Sequence, residues 1–262
     1  MTQSKLLKIA TILDRSITEN FSIPAFSLMN EDISIQEAYA IQTIGVNLRT
    51  KRGESIIGYK MGLTSIDKQK QMHVDDPIYG VLTNAMKIQS ANTCDISKMI
   101  HPKVEPEIAF ITKKAIRHPV TINEVVNACE GICAALDVID SRYDNFKFGL
   151  TDVVADNCSA AKFVLSNDIK NPKNINFDNL KMTLSVNGKV MGTSSSKAIL
   201  GNPANSVVYL AKLLSFVDSE IPAGSIILCG SSIAAITLEK NMNVINQVET
   251  LGSVSLKTNA ST

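Results

Sequence analysis

The sequence predicts an α+β fold: a β-rich main body, residues 54–262, carrying a helical N-terminal segment, residues 1–53. Two observations carry this. Apolar residues recur at helical spacing up to about residue 50, and thereafter short apolar or alternating runs separated by turn residues dominate. No internal repeat and no regular alternation of strand and helix is present, which excludes a doubly wound parallel sheet. At 262 residues the chain is long enough to bury a substantial core.

Leu6, Leu7, Ile9, Ala10, Ile12, Leu13 and Ile17 form the first helical stripe. Ser34 and Glu37 form a capping box that opens a second helix through Ala38, Ile41, Ile44 and Leu48, stopping near Gly53. Ile56 to Leu63 reads as a buried strand with one lysine, Lys60, in its middle. Thr64 or Ser65 caps a short helix through Gln71, and Pro77 to Leu82 and Val104 to Thr112 read as strands. A second capping box, Thr121 and Glu124, starts a helix carrying Val125, Val126, Ala128 and Ile132, which hands over to a strand at Ala134 to Asp140. Asn187-Gly188 predicts a type I′ hairpin. Asn202-Pro203 opens a helix running to Val217. A strand at Ser225 to Cys229 then leads into Gly230-Ser231-Ser232, and the tail from Val244 to Leu256 reads as β-rich.

Charge excludes several functions. With 26 basic and 25 acidic residues and no like-charge run, nothing draws the chain to nucleic acid or to a membrane. Tryptophan is absent, and no apolar stretch approaches membrane-spanning length. The five cysteines are odd in number and lack a C-x-x-C pair, so they read as reduced thiols of a cytoplasmic protein.

The stretch with chemical content is Val104-Glu105-Pro106-Glu107-Ile108. A strand repeats every second residue, so Glu105 and Glu107 project from one face. Adjacent acids repel and need a cation, or they are simply a solvated face. Pro106 cannot donate a ladder hydrogen bond and implies a strand edge or bulge. Asp137 lies in an apolar strand one helix further on, and three carboxylates from two strands suit Mg²⁺ or Mn²⁺. His101, beside Pro102, is read as structural.

Seven motifs then occur in order. They are Gly58-Tyr59-Lys60-Met61-Gly62-Leu63-Thr64-Ser65, Asp76-Pro77-Ile78-Tyr79-Gly80, His101-Pro102-Lys103-Val104-Glu105-Pro106-Glu107-Ile108-Ala109, Val138-Ile139-Asp140-Ser141-Arg142-Tyr143, Val154-Ala155-Asp156-Asn157, Leu200-Gly201-Asn202-Pro203 and Leu251-Gly252-Ser253-Val254. Together they resemble the hydratase/decarboxylase family of the fumarylacetoacetate hydrolase superfamily, over nearly the whole chain. The resemblance implies a fumarylacetoacetate-hydrolase-like body and metal-dependent chemistry on a 2-oxo acid. The metal ligands it implies are Glu105, Glu107 and Asp137, holding Mg²⁺ or Mn²⁺. Asp137 stands where many members have Glu, which shortens its reach by about 1.5 Å and makes a water-mediated contact one alternative. Lys60 matches the family's pocket lysine, a substrate-carboxylate partner or proton relay. Ile78, Tyr79, Asn157, Ser159, Gly230 and Ser231 are the implied substrate-side residues, the last two as donors of backbone amides to an oxyanion.

Ile78-Tyr79, where the hydratases tend to read Asp-Phe, points to the decarboxylase branch, as does the segment Arg142 to Phe148. The implied reaction is decarboxylation of 2-oxo-3-hexenedioate in meta-cleavage aromatic catabolism, by a homo-oligomer partnered with its sister hydratase. A 2-oxopent-4-enoate hydratase is the alternative. An acylpyruvate-type hydrolase and a non-catalytic partner of the hydratase stay open behind it.

Overall fold

The computed structural model describes residues 1–29, 32–65, 69–70 and 76–259. Helix α1, Gln3–Glu19, and helix α2, Ile35–Lys51, form the N-terminal segment. Both halves of the Ser34/Glu37 capping box are made, at 3.3 and 2.9 Å. Asp14 pairs with Arg52 at 2.6 Å and ties the start of the segment to its end. Leu6, Ile9, Leu13, Ala38 and Ile41 share one buried cluster with Ile78, Tyr143, Val153 and Val154, so the two helices pack directly on the body. No described helix is long and apolar enough to cross a membrane.

The body is two sheets. The larger runs β2 (Ile78–Thr83), β1 (Ile56–Gly62), β10 (Ile226–Leu228), β5 (Pro102–Thr112), β6 (Cys129–Asp140), β7 (Ala160–Leu165) and β3 (Lys87–Gln89). A short β11, Ile236–Thr237, pairs with the start of β5. The smaller sheet runs β4 (Thr93–Asp95), β13 (Gly252–Asn259), β12 (Asn243–Val248), β8 (Lys181–Val186) and β9 (Lys189–Ser195). The β8–β9 turn has positive φ at both Asn187 (50°) and Gly188 (80°), as a type I′ turn requires.

Strand alternation divides the larger sheet into two faces. Ile108, Phe110, Ile132, Ala134 and Leu136 pack against Met182, Leu184, Val244 and Val254 of the smaller sheet and make the main core. Ala109, Cys133, Ala135, Ile226 and Leu228 line the opposite face with Phe163 and Met86. That face is concave: the amide of Asn157 bonds both Val81 N and Val81 O, at 2.7 and 2.9 Å, drawing the chain before β7 against β2.

Among the described residues, α3 (Ile122–Ala128), α4 (Leu150–Ala155) and α5 (Pro203–Ser215) are shorter helices. The periodicity overextends two of them. Ile132 belongs to β6, because the strand takes over at Cys129 and pairs along the full length of β5. Phe216 and Val217 lie beyond α5 and are exposed. Gln69 and Lys70 are helical; the rest of that expected helix, to Gln71, lies outside the described residues.

At Gly58 the backbone of β1 runs close against β10. A Cβ there would stand 1.9 Å from the carbonyl oxygen of Ile226. Gly58→Ala is therefore expected to cost at least about 3 kcal/mol, the upper end of ordinary overpacking penalties. Urea denaturation checks this, and an unchanged midpoint would contradict so close an approach.

Candidate metal centre and pocket

The site lies on the concave face where β5 loses its neighbour. β11 covers Lys103 and Val104, and β10 covers Ala109 to Ile111. Between them Glu105-Pro106-Glu107 has β6 as its ladder partner and a gap on the other side. Pro106 thus sits at a local edge inside a central strand, which accommodates its missing N–H.

Register completes the acid cluster. β5 and β6 run antiparallel with Glu105 directly opposite Asp137 and Glu107 opposite Ala135, so all three carboxylates share one face. One oxygen from each lies within 4.8 Å of the others. Glu107 and Asp137 are fully buried and Glu105 is half-buried. Glu107 Oε2 accepts the Gly230 amide at 2.6 Å, while its Oε1 is buried with no hydrogen-bond partner among the described residues.

Lys60 reaches the cluster from β1. Its register partner Leu228 faces the same side as Ala109, which places the lysine on the concave face. β1 and β6 are three strand spacings apart, roughly 14 Å in a flat sheet. Curvature closes that distance: Lys60 Nζ lies 2.5 Å from Asp137 Oδ2 and donates to Cys158 O at 3.1 Å. Burial by itself depresses the Lys60 ammonium, but Asp137, Glu107 and Glu105 outweigh it and raise its pKa. Burial first, and Asp137 second, push Glu107 well above the usual carboxylate range, with Lys60 opposing. Three acids around one lysine, one of them with an orphaned buried oxygen, are what a hard divalent cation fits.

The cluster opens into a pocket of about 600 Å³. Its wall includes Ile78, Ile139, Phe148, Val153 and Leu63, with Ser159 and Ser231 as hydroxyls. Ser231 Oγ is engaged with the backbone of Ile233, and Ser159 Oγ lies 3.4 Å from Asp156 Oδ2. Cys158 also borders the pocket, but burial pushes its thiol up to about 12, so it offers no thiolate. Among the described residues no histidine lines the pocket. His101 Nδ1 lies 3.1 Å from Ser141 O, a structural contact.

Three expected substrate-side residues stand elsewhere. Tyr79 alternates with Ile78, and its ring leaves the pocket to stack on Tyr39 at 4.8 Å. The side-chain amide of Asn157 is committed to Val81. The Gly230 N–H, expected to face an oxyanion, donates to Glu107 Oε2. The glycine is required by its φ of +91° and by space, since a Cβ would meet Thr64 Oγ1 at 2.0 Å.

Two groups support the site: Asn246, which the sequence reading passed over, and the pair Arg142 and Asp156, whose motifs it named without a role. Asn246 of β12 donates to the carbonyls of Glu107 and Ala135, at 3.0 and 2.8 Å, fixing the two site strands to each other. A polar residue between Val244 and Val248 on a core-facing alternation was its signal. Arg142 and Asp156 form a buried ion pair behind the Asn157 turn, and Arg142 also donates to the backbone carbonyls of Asp140 and Asp156.

Residues 42–255 match the fumarylacetoacetate (FAA) hydrolase C-terminal family, and the chain belongs to that family. Among its relatives, 4-oxalocrotonate decarboxylase of Pseudomonas sp. (strain CF600) is 36% identical over 98% of each chain. The 2-keto-4-pentenoate hydratase of Paraburkholderia xenovorans (strain LB400) is 35% identical over 76% of this chain and 75% of its own. The solved structure of 4-oxalocrotonate decarboxylase from Pseudomonas putida G7, complexed with magnesium and adipate, superposes with a TM-score of 0.95 at 33% identity, covering 98% of both chains.

Proposed function

We propose that the chain is a metal-dependent lyase that decarboxylates 2-oxo-3-hexenedioate to 2-hydroxypenta-2,4-dienoate and CO₂. The carrying observation is a cluster of three carboxylates and one lysine at the end of a pocket whose wall at position 78 is isoleucine. Full-length similarity to named decarboxylases supports it. Glu105, Glu107 and Asp137 would hold Mg²⁺ or Mn²⁺, supplying a Lewis acid for the 2-oxo oxygen, where negative charge develops.

In the diacid the distal carboxylate is the vinylogue of a β-oxo acid. As its C–C bond breaks, the electron pair runs along the conjugated chain to the 2-oxo oxygen, CO₂ departs, and one proton completes the dienol. Lys60 holds its protons at the pocket floor, where Nζ can pair with a substrate carboxylate or relay a proton. Ile78, Ile139, Val153 and Phe148 would give the conjugated chain an apolar wall, which offers no tight ion pair to the carboxylate that leaves as neutral CO₂. The product is a hydratase substrate, which makes the sister hydratase the natural partner in a cytoplasmic catabolic sequence.

The hydratase reading is favoured by the hydratase relatives. Hydration profits from an additional titratable group in the pocket, and Ile78 supplies none. Product analysis separates the two. The expected result is CO₂ from 2-oxo-3-hexenedioate with Mg²⁺ and little hydration of 2-hydroxypenta-2,4-dienoate. Ile78→Asp should depress decarboxylation more than Mg²⁺ affinity. Efficient hydration without CO₂ release would overturn the choice.

A further inference from the structure

The period-two rule that aligns Glu105 with Glu107 also places Lys103 on the same strand face, roughly 7 Å before Glu105. Its register partner is Ile139, another pocket residue. Lys103 lines the pocket and is half-buried, with Nζ 4.0 Å from the centre of the Phe146 ring. Lys147 lines the same pocket from the following segment and is exposed. Among the described residues, the pocket therefore has three lysines, of which Lys60 is held at the floor by Asp137.

Formal charge divides their work. Three carboxylates, Lys60 and one divalent ion cancel, leaving nothing to balance a bound anion. Lys103 and Lys147 supply two positive charges, which match a dianion and exceed what a 2-oxo monoacid needs. A six-carbon chain spans only about 6 Å. A diacid whose 2-oxo end lies at the acids can therefore reach Lys103, roughly 7 Å along β5 from Glu105, with its far carboxylate.

We infer that Lys103 and Lys147 select dicarboxylates, by receiving the carboxylate distal to the 2-oxo group at the pocket mouth. This rests on the decarboxylase reading for the identity of the substrate. The placement suits that chemistry. A dry, tight ion pair would stabilise the departing carboxylate and hold CO₂ back, whereas a half-buried Lys103 and an exposed Lys147 capture the anion with a weaker, screened attraction. Phe146 keeps the Lys103 ammonium over its ring. The contribution falls on capture, in kcat/KM, and weakens as salt rises.

The test uses two unreactive ligands that share the 2-oxo acid end, 2-oxohexanedioate and 2-oxohexanoate. Calorimetry with the Mg²⁺-loaded wild type should show the diacid binding at least tenfold more tightly at low salt, and the preference shrinking as salt is added. In Lys103→Met/Lys147→Met the preference should fall to threefold or less. Lys103→Arg, which keeps the charge, should retain it. A double variant that binds 2-oxohexanoate normally and keeps the full preference for the diacid overturns the inference. So does a wild type that shows no preference. The proposed reaction is judged separately: wild type that releases no CO₂ yet shows a lysine-dependent diacid preference refutes the reaction and leaves this selectivity standing.

Discussion

Glu107→Gln should lower Mg²⁺ affinity by at least a hundredfold while leaving the metal-free fold intact. The glutamine keeps the shape and an oxygen for the Gly230 amide, and removes a charge that is fully buried against Asp137. Because the Glu107 carboxyl is raised above its usual range, the metal-free protein binds this proton more tightly folded than unfolded. That stabilising contribution is present at low pH and is lost as pH rises through the raised folded value. A bound cation reverses the balance, so the Mg²⁺-dependent gain in Tm should grow with pH in the wild type and vanish in the variant. At a hundred times Kd the gain corresponds to about 2.7 kcal/mol, or roughly 5–10 °C for a chain of this size. Titration calorimetry and melting curves read both effects. A folded Glu107→Gln protein with wild-type Mg²⁺ affinity would sink the ligand assignment. Asp137→Asn should act in the same direction, and more weakly if a water intervenes.

Lys60→Met is expected to cut kcat/KM by a factor of ten or more, at least about 1.4 kcal/mol of transition-state stabilisation. The structure adds a second consequence. Lys60 lies 2.5 Å from Asp137, so its loss strips the acids of their neighbouring cation. The metal-free variant should lose several kcal/mol of stability, on the scale of a broken buried pair at about 3–5 kcal/mol. Mg²⁺ should bind at least as tightly as in wild type and restore much of that loss. Steady-state kinetics, calorimetry and denaturant melts together decide the matter. Wild-type kcat/KM in Lys60→Met would reduce the lysine to a structural role. Weakened Mg²⁺ binding would mean that it acts by arranging the carboxylates.

Features that depend on a few neighbouring residues are legible in the chain alone. Capping at Ser34 and Thr121, the Asn187-Gly188 turn and the Asn202-Pro203 helix start are set by local backbone geometry and hydrogen bonding. The common face of Glu105 and Glu107 follows from strand pleating alone. The same rule separates Ile78 from Tyr79 and adds Lys103 to the acids' face, information that was present in the sequence but is easily passed over. Motif order carried the family.

Tertiary structure decided which of these groups meet. Asp137 faces Glu105 because β5 and β6 adopt one register out of several that apolar alternation permits. Lys60 meets Asp137 because the larger sheet curls, and that curl sums contacts as distant in sequence as Asn157 with Val81. Gly230 became a donor to Glu107 because β10 stops at Leu228 and the chain turns over the gap in β5. Register and curvature are set by long-range packing, so local sequence patterns identify the participants in this site while the folded sheet determines their distances.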